Sequence, residues 1–288
     1  RDLIRRHMAD WQFPLHMIDF ETATVALPFF KGMRPYESLA FQYSHHVIEE
    51  DGSVRHAGQY LLAEPGTFPN FEFVRALKNE LHGDVGTIFR WSHHENTVLS
   101  HIAQQIAQQN PPLPDAPELL AFIASITKGG QRSMVDLAEL AERAYFHPDT
   151  KARVSIKKVL PAVLKSSDFL KQKYQQPIYG RTIPSLNYNG FSWWEERSGR
   201  LIDPYQRLKE LTEQMLGDMG GDAADADALE VDIDIAEGGA AAMAFARLQF
   251  EDLNPTIRDA IKSALLRYCE LDTLAMVMIV EAWREWSR

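Results

Sequence analysis

The chain has 288 residues and a mass of 32.8 kDa, enough for one large domain or two small ones. Its composition, 45% hydrophobic and 24% charged, is that of a globular protein, no apolar run is long enough to span a bilayer, and the single cysteine, Cys269, excludes an intrachain disulfide and a cysteine-based zinc cluster. The formal net charge of −10 runs against a nucleic-acid binder, yet eight acids lie between Asp218 and Glu237 with no Lys or Arg, and without them the charge falls to −2.

In chain order, the start RDLIRRHMADW has no apolar signal-peptide core, which makes the cytoplasm the expected compartment. It also lacks a starting methionine, so the chain reads as a piece of a longer protein with another domain before Arg1. Leu15 to Phe20 is a short apolar strand running into Asp-Phe-Glu-Thr. Leu39 to Ile48 and Arg55 to Leu62 are two further strands, joined by the turn signal Glu50-Asp51-Gly52-Ser53. Phe71 to Leu81 has helical spacing, with Phe73, Val74, Leu77 and Leu81 on one side. Thr87 to Trp91 is a fourth strand, Glu95 to Gln108 a helix ending before Pro111, and Leu119 to Ile126 a short helix. Ser133 to Leu137 is a fifth strand, leading into a helix around Leu140, and Ser155 to Leu164 is a helix interrupted by Pro161.

Three strands, then helix, strand, helix, strand and helix imply a mixed sheet with helices packed on it. The organisation is therefore expected to be a first part of the core over 1–174, a looser insertion over 175–237, and C-terminal helices over 238–288 that complete the core. The insertion holds turn-rich stretches, a helix over Tyr205 to Leu216, and the acidic segment. That segment is expected to shield or regulate the site, competing with nucleic acid for the basic stretch from Lys151 to Lys173. Helices resume after Gly239, one to Phe250 and another from Pro255 to the end.

Two patterns carry chemistry. Asp19 and Glu21, two apart on a strand, project on the same side at its carboxyl end. Two carboxylates held so close repel unless a cation lies between them, and oxygen ligands suit Mg²⁺ or Mn²⁺. The bland alternative is a solvent-facing strand end. Tyr268 and Asp272, four apart in Tyr268-Cys269-Glu270-Leu271-Asp272 at the opening of an apolar run from Leu271 to Trp283, share a helical face. The bland alternative there is a helix start with acids placed for its dipole.

Together, Asp19-Phe20-Glu21 and Tyr268-x-x-x-Asp272 resemble the DEDD 3′–5′ exonucleases of the RNase H-like superfamily, in their tyrosine-type branch. The stretches Ile18-Asp19-Phe20-Glu21-Thr22, Lys31-Gly32-Met33-Arg34-Pro35-Tyr36, His94-Glu95-Asn96-Thr97 and Tyr268-Cys269-Glu270-Leu271-Asp272-Thr273 are similar to the DUF2779 family of bacterial proteins of unknown function. The resemblance implies an α/β fold with an RNase H-like mixed five-stranded sheet flanked by helices. It also implies hydrolysis of DNA or RNA by a two-metal mechanism, two Mg²⁺ or Mn²⁺ ions being held by Asp19, Glu21, Glu95 and Asp272, with Tyr268 positioning the attacking water. The middle acid departs from the exonuclease pattern. Glu95 opens a helix where an aspartate is usual, its alternative reading is a helix cap, and Asp136 is the other candidate ligand.

Four histidines, His45, His46, His93 and His94, read as surface or partly packed, since neighbours on a strand point apart. Lys157 and Lys158 are candidate nucleic-acid contacts, with a solvated helix face as the alternative. Trp193 and Trp194 read as packing residues rather than base-stacking ones. The expected partner is nucleic acid, single-stranded or offering an end, with no membrane association. Two rivals stand beside the nuclease: a non-catalytic binding module that keeps the fold, and a phosphoesterase acting on short oligonucleotides.

Overall fold

The first strand sits at the centre of the protein. In the computed structural model, which describes residues 2–218 and 239–287, β1 (Leu15–Thr24) pairs antiparallel with β2 (Ser38–Ile48), and β2 pairs antiparallel with β3 (Val54–Leu61). On its other side β1 runs parallel to β4 (Ile88–Arg90), and β4 runs parallel to the two-residue β5 (Val135–Asp136). The order across this mixed five-stranded sheet is β3-β2-β1-β4-β5. Parallel neighbours need a crossover element, and α2 (Asn70–Leu81) supplies it between β3 and β4. α3 (His94–Ala107) and α4 (Ala116–Ile126) lie between β4 and β5. The close approach of β1 and β4 requires Gly86, where a Cβ would collide with the carbonyl oxygen of Pro14.

Each face of the sheet has its own apolar layer. Alternation along β1 sends Ile18 and Phe20 to α2, α3 and α4, and Leu15, Met17 and Ala23 to the opposite side. That opposite side is covered by α9 (Ala240–Phe250) and above all the 32-residue α10 (Pro255–Trp286), against which α6 (Ile156–Ser166) packs in turn. Two shorter helices, α1 (Asp2–Met8) and α5 (Leu137–Ala144), flank it. Asn254 caps α10 by accepting from the Ile257 amide at 2.9 Å, with Pro255 in the first turn. Every residue from Tyr268 to Trp283 is buried, as expected of a helix packed on several sides. Among the described residues no helix is long and apolar enough to cross a membrane.

Several expectations need correction. Tyr268 lies well inside α10, not at a helix start, because the cap is at Asn254. His45 and His46 are fully buried, since β2 has partners on both edges and layers on both faces. His45 Nδ1 meets Glu80 at 2.8 Å, while His45 Nε2 meets His16 Nδ1 at 2.9 Å. His46 bonds Thr273 Oγ1 at 2.7 Å and Tyr179 Oη at 2.8 Å. His93 and His94 are exposed, as expected. Pro161 does not interrupt α6: Val159, Leu160, Ala162, Val163 and Leu164 are buried around it, and their packing offsets the lost backbone bond.

Residues 175–214 join the same apolar layer as α10 through Tyr179, Ile183, Tyr188, Trp193, Tyr205 and Leu208. The elements not expected from the sequence are α1, a 3-10 turn at Pro148–Thr150, α7 (Asp168–Tyr174), and a small hairpin of β6 (Glu196–Arg197) and β7 (Arg200–Leu201). Ser198 and Gly199, both at positive φ, make its two-residue turn. α8 (Pro204–Asp218) occupies the place of the expected Tyr205–Leu216 helix. The acidic segment beyond Asp218, and the shielding role expected of it, lie outside the described residues.

Candidate metal centre

The carboxyl end of β1, the first turn of α3 and the middle of α10 converge on one acidic cleft. Asp19 and Glu21 project from β1 toward α10, on the side of Met17 and Ala23. On α10, Cys269 meets β1 one helical position after Tyr268: its Sγ lies 3.5 Å from the Asp19 carbonyl and 3.8 Å from Asp19 Oδ2. Ligand atoms of Asp19, Glu21 and Cys269 all lie within 4.8 Å of one another. Asp272, one turn beyond Tyr268, completes this side of the cleft.

Glu95 enters from α3. Its position depends on a strained loop: Ser92 sits at φ 79°, in the left-handed region that favours glycine, and its amide donates to Asp136 Oδ1 at 3.0 Å. Thr22 Oγ1 and His94 Nε2, 2.9 Å apart, tie the end of β1 to the start of α3 beside the two glutamates. Glu95 is 1% exposed, and its Oε2 has no hydrogen-bond partner. Asp136 is occupied differently. Its Oδ2 accepts from Arg90 Nη1 at 2.7 Å, and its Oδ1 accepts from the amides of Ser92, Ala138 and Glu139, which makes it the cap of α5.

The electrostatics follow from burial and crowding. Loss of hydration pushes the Glu21 carboxyl up to about 8, and the charges of Asp272 and Glu95 push the same way while Lys157 opposes. Glu95 is likewise pushed up to about 8, chiefly by burial, with Asp136 and Asp272 contributing and Arg90 opposing. Asp19 is raised well above the carboxylate range by burial, then by Asp272, Glu95 and Glu21. Asp272 reaches only about 6, because hydrogen bonds from Tyr205 and Tyr268 and the charge of Lys157 offset its burial. Burial and these carboxylates hold the Tyr268 phenol and the Cys269 thiol far above their ordinary values, so both stay protonated.

Four buried carboxyl groups, all raised by burial and three of them further by neighbouring carboxylates, with one buried oxygen unpartnered, fit a divalent cation held by oxygen ligands. A protonated thiol at the edge adds a weak donor to Asp19.

Two participants, Tyr205 and Cys269, escaped the sequence reading, and a third, Lys157, is there a candidate nucleic-acid contact. Tyr205, at the start of α8, donates to Asp272 Oδ1 at 2.5 Å. Lys157 is half-buried rather than on a solvated face, its Nζ 5.2 Å from the ring centre of Tyr268 and 5.5 Å from that of Tyr205. Cys269 was considered only for disulfides and zinc. Tyr205 follows Asp203-Pro204, an ordinary helix start, and nothing in that signal points to Asp272. Lys158 is exposed on the same helix as Lys157. Trp193 is fully buried, as expected, and Trp194 is half-buried with Lys171 Nζ 4.5 Å from its ring centre.

No curated protein and no solved structure matches the chain. Residues 16–155, which carry Asp19, Glu21, Glu95 and Asp136, match the family model described as "Domain of unknown function (DUF2779)", and this match supports placing the chain in that family.

Proposed function

We propose that this protein is a metal-dependent nuclease of RNase H-like fold, hydrolysing phosphodiester bonds of nucleic acid at the cleft formed by Asp19, Glu21, Glu95 and Asp272. The observation that carries the reading is the buried, unpartnered Glu95 Oε2 among carboxyls that burial and mutual repulsion raise. Such an arrangement costs stability unless a cation offsets it. The sheet, with three consecutive strands between α1 and α2, agrees with the fold that the resemblance implies.

Two divalent ions, Mg²⁺ or Mn²⁺, would neutralise the four carboxylates and supply positive charge to the phosphoryl oxygens. The chain's own groups do the rest. Tyr268, kept protonated, offers its hydroxyl to orient the attacking water. Tyr205 donates to Oδ1 of Asp272 and so fixes the orientation of that carboxylate as a ligand. Lys157, held over the two tyrosine rings, brings a cation to the mouth of the cleft, where the scissile phosphate carries its charge. The 3′ to 5′ direction comes from the resemblance to the DEDD exonucleases.

The test uses 3′- and 5′-labelled single-stranded DNA and RNA with Mn²⁺, Mg²⁺ or EDTA, and the Asp19→Asn and Asp272→Asn variants alongside. Shortening from the 3′ end that needs metal and is lost in both variants is the expected result. Folded protein that binds no metal by calorimetry and cleaves nothing would leave a non-catalytic binding module instead.

A further inference from the structure

A cleft of about 500 Å³ lies among α6, α7 and the β6–β7 hairpin, beside the acidic centre. Its walls carry Lys157, Lys158, Lys165, Lys171 and Arg200, together with Trp194. Four acids share the walls: Asp149, Asp168, Glu196 and Asp203. Two of these acids are already engaged. Asp149 pairs with Lys165 at 2.7 Å, and Asp203 accepts from the Tyr205 amide at 2.9 Å. Lys158 and Lys171 stay exposed.

The cations are interleaved with aromatic rings. Lys171 stands over Trp194, and Lys157 stands over Tyr205 and Tyr268, the two tyrosines of the acidic centre. Lys157 therefore belongs to both places. It lines the cleft, and its charge lowers Asp272 and Glu21. Cations set beside aromatic faces suit a single strand, whose phosphates meet the cations while unpaired bases lie against the rings. A duplex keeps its base faces stacked and offers none to such a wall.

We infer that this cleft is the path of single-stranded nucleic acid into the acidic centre, with Lys158, Lys171 and Arg200 on its phosphates and Trp194 against a base. The inference rests on the nuclease reading and adds the strand's route and its single-stranded state. Substrate then enters from the side of the 175–214 segment, a part of the chain in which the sequence pattern offers no catalytic residue.

The test separates this inference from the nuclease reading by measuring binding without hydrolysis. Fluorescence anisotropy in EDTA, with fluorescein-labelled oligothymidylate, oligouridylate and a blunt DNA duplex, is run on the whole chain and on Lys158→Glu/Lys171→Glu. Arg6→Glu, an exposed reversal on α1, serves as the charge control. The inference expects single strands to bind more tightly than the duplex. It also expects the double reversal to weaken single-strand binding by about tenfold or more and to flatten its salt dependence, beyond the effect of Arg6→Glu. Equal binding by the double reversal and the parent overturns the cleft as the path and leaves the nuclease reading standing. So does Mn²⁺-dependent hydrolysis of bis(p-nitrophenyl) phosphate by a parent that binds no oligonucleotide. Preference for the duplex overturns the single-strand assignment.

Discussion

The hydroxyl of Tyr205 donates to Asp272 Oδ1 at 2.5 Å, joining the first turn of α8 to the middle of α10 across 67 positions of sequence. With Tyr268 it gives one carboxylate two phenolic partners, and these help hold Asp272 at about 6 while Glu21 and Glu95 rise to about 8. Tyr205→Phe removes the donor and keeps the ring. Groups that hold a metal ligand in place typically contribute roughly 10- to 100-fold in affinity or activity. We expect Mn²⁺ affinity, measured by calorimetry, to fall within that range in Tyr205→Phe. Tyr268→Phe should reduce turnover more than metal affinity. Identical metal affinity in Tyr205→Phe and the parent would sink the positioning role.

Glu95 offers a test with a sign. Its carboxyl, ordinarily near 4.5, stands at about 8 in the folded protein. Between those values the folded state keeps a proton that the unfolded chain has released, so stability falls as pH rises from 4.5 to 8. Glu95→Gln should flatten that fall. In EDTA at pH 8 it should be more stable than the parent, by about 2 kcal/mol as an order of magnitude, because a neutral amide replaces a buried charge. Urea denaturation from pH 5 to 9 reads the effect, and superimposable profiles would count against it. Added Mn²⁺ should stabilise the parent more than the variant.

His46 predicts the opposite slope. Burial, with the neighbouring charges of His56 and His45, holds it well below its ordinary 6.5, and it faces only Thr273 and Tyr179 through hydrogen bonds. His16 is lowered to about 4, again chiefly by burial. Neutral in the folded state, these groups contribute stability that is present above pH 6.5 and lost as pH falls toward 4. Each contributes at most about 1.4 kcal/mol per pH unit. Chemical denaturation between pH 7 and 4.5 should show His46→Gln losing less stability per unit than the parent; a steeper loss would contradict the assignment.

Glu270 is the structural counterpart of Asp272. It lies two residues away on α10, fully buried, and accepts from Tyr179 Oη and Ser185 Oγ at 2.5 Å and from Asn187 Nδ2 at 2.7 Å, with His56 Nδ1 at 3.1 Å. Against the burial cost, these partners hold its carboxyl below the usual range. Glu270→Ala strands several buried donors at once, and we expect a loss of roughly 3–5 kcal/mol by urea denaturation. Glu270→Gln should cost less. A loss under about 1 kcal/mol in the alanine variant would show that the 175–214 segment is held by its aromatic residues alone.

Local pattern was enough for the frame. The apolar run from Leu15 to Phe20, the turn at Asp51-Gly52 and the spacing of Phe73, Val74, Leu77 and Leu81 are short-range properties, and they place β2, β3 and α2 within one residue of the structure and start β1 at Leu15, although β1 runs on to Thr24. The same locality brings Asp19 with Glu21 and Tyr268 with Asp272, because a strand repeats every two residues and a helix nearly every four. Tertiary structure alone decided which buried acids of α10 have partners. Glu270, Asp272 and Glu281 look alike in the sequence, yet Glu281 is held by Lys173 and Tyr174, Glu270 by the 175–187 segment, and Asp272 faces the acidic cleft. It also buried His45 and His46, gave Asp136 to a helix cap, left Glu95 Oε2 unpartnered, and placed Tyr205 and Lys157 at the cleft. These outcomes depend on which surfaces meet across scores of residues, and no local spacing encodes that meeting.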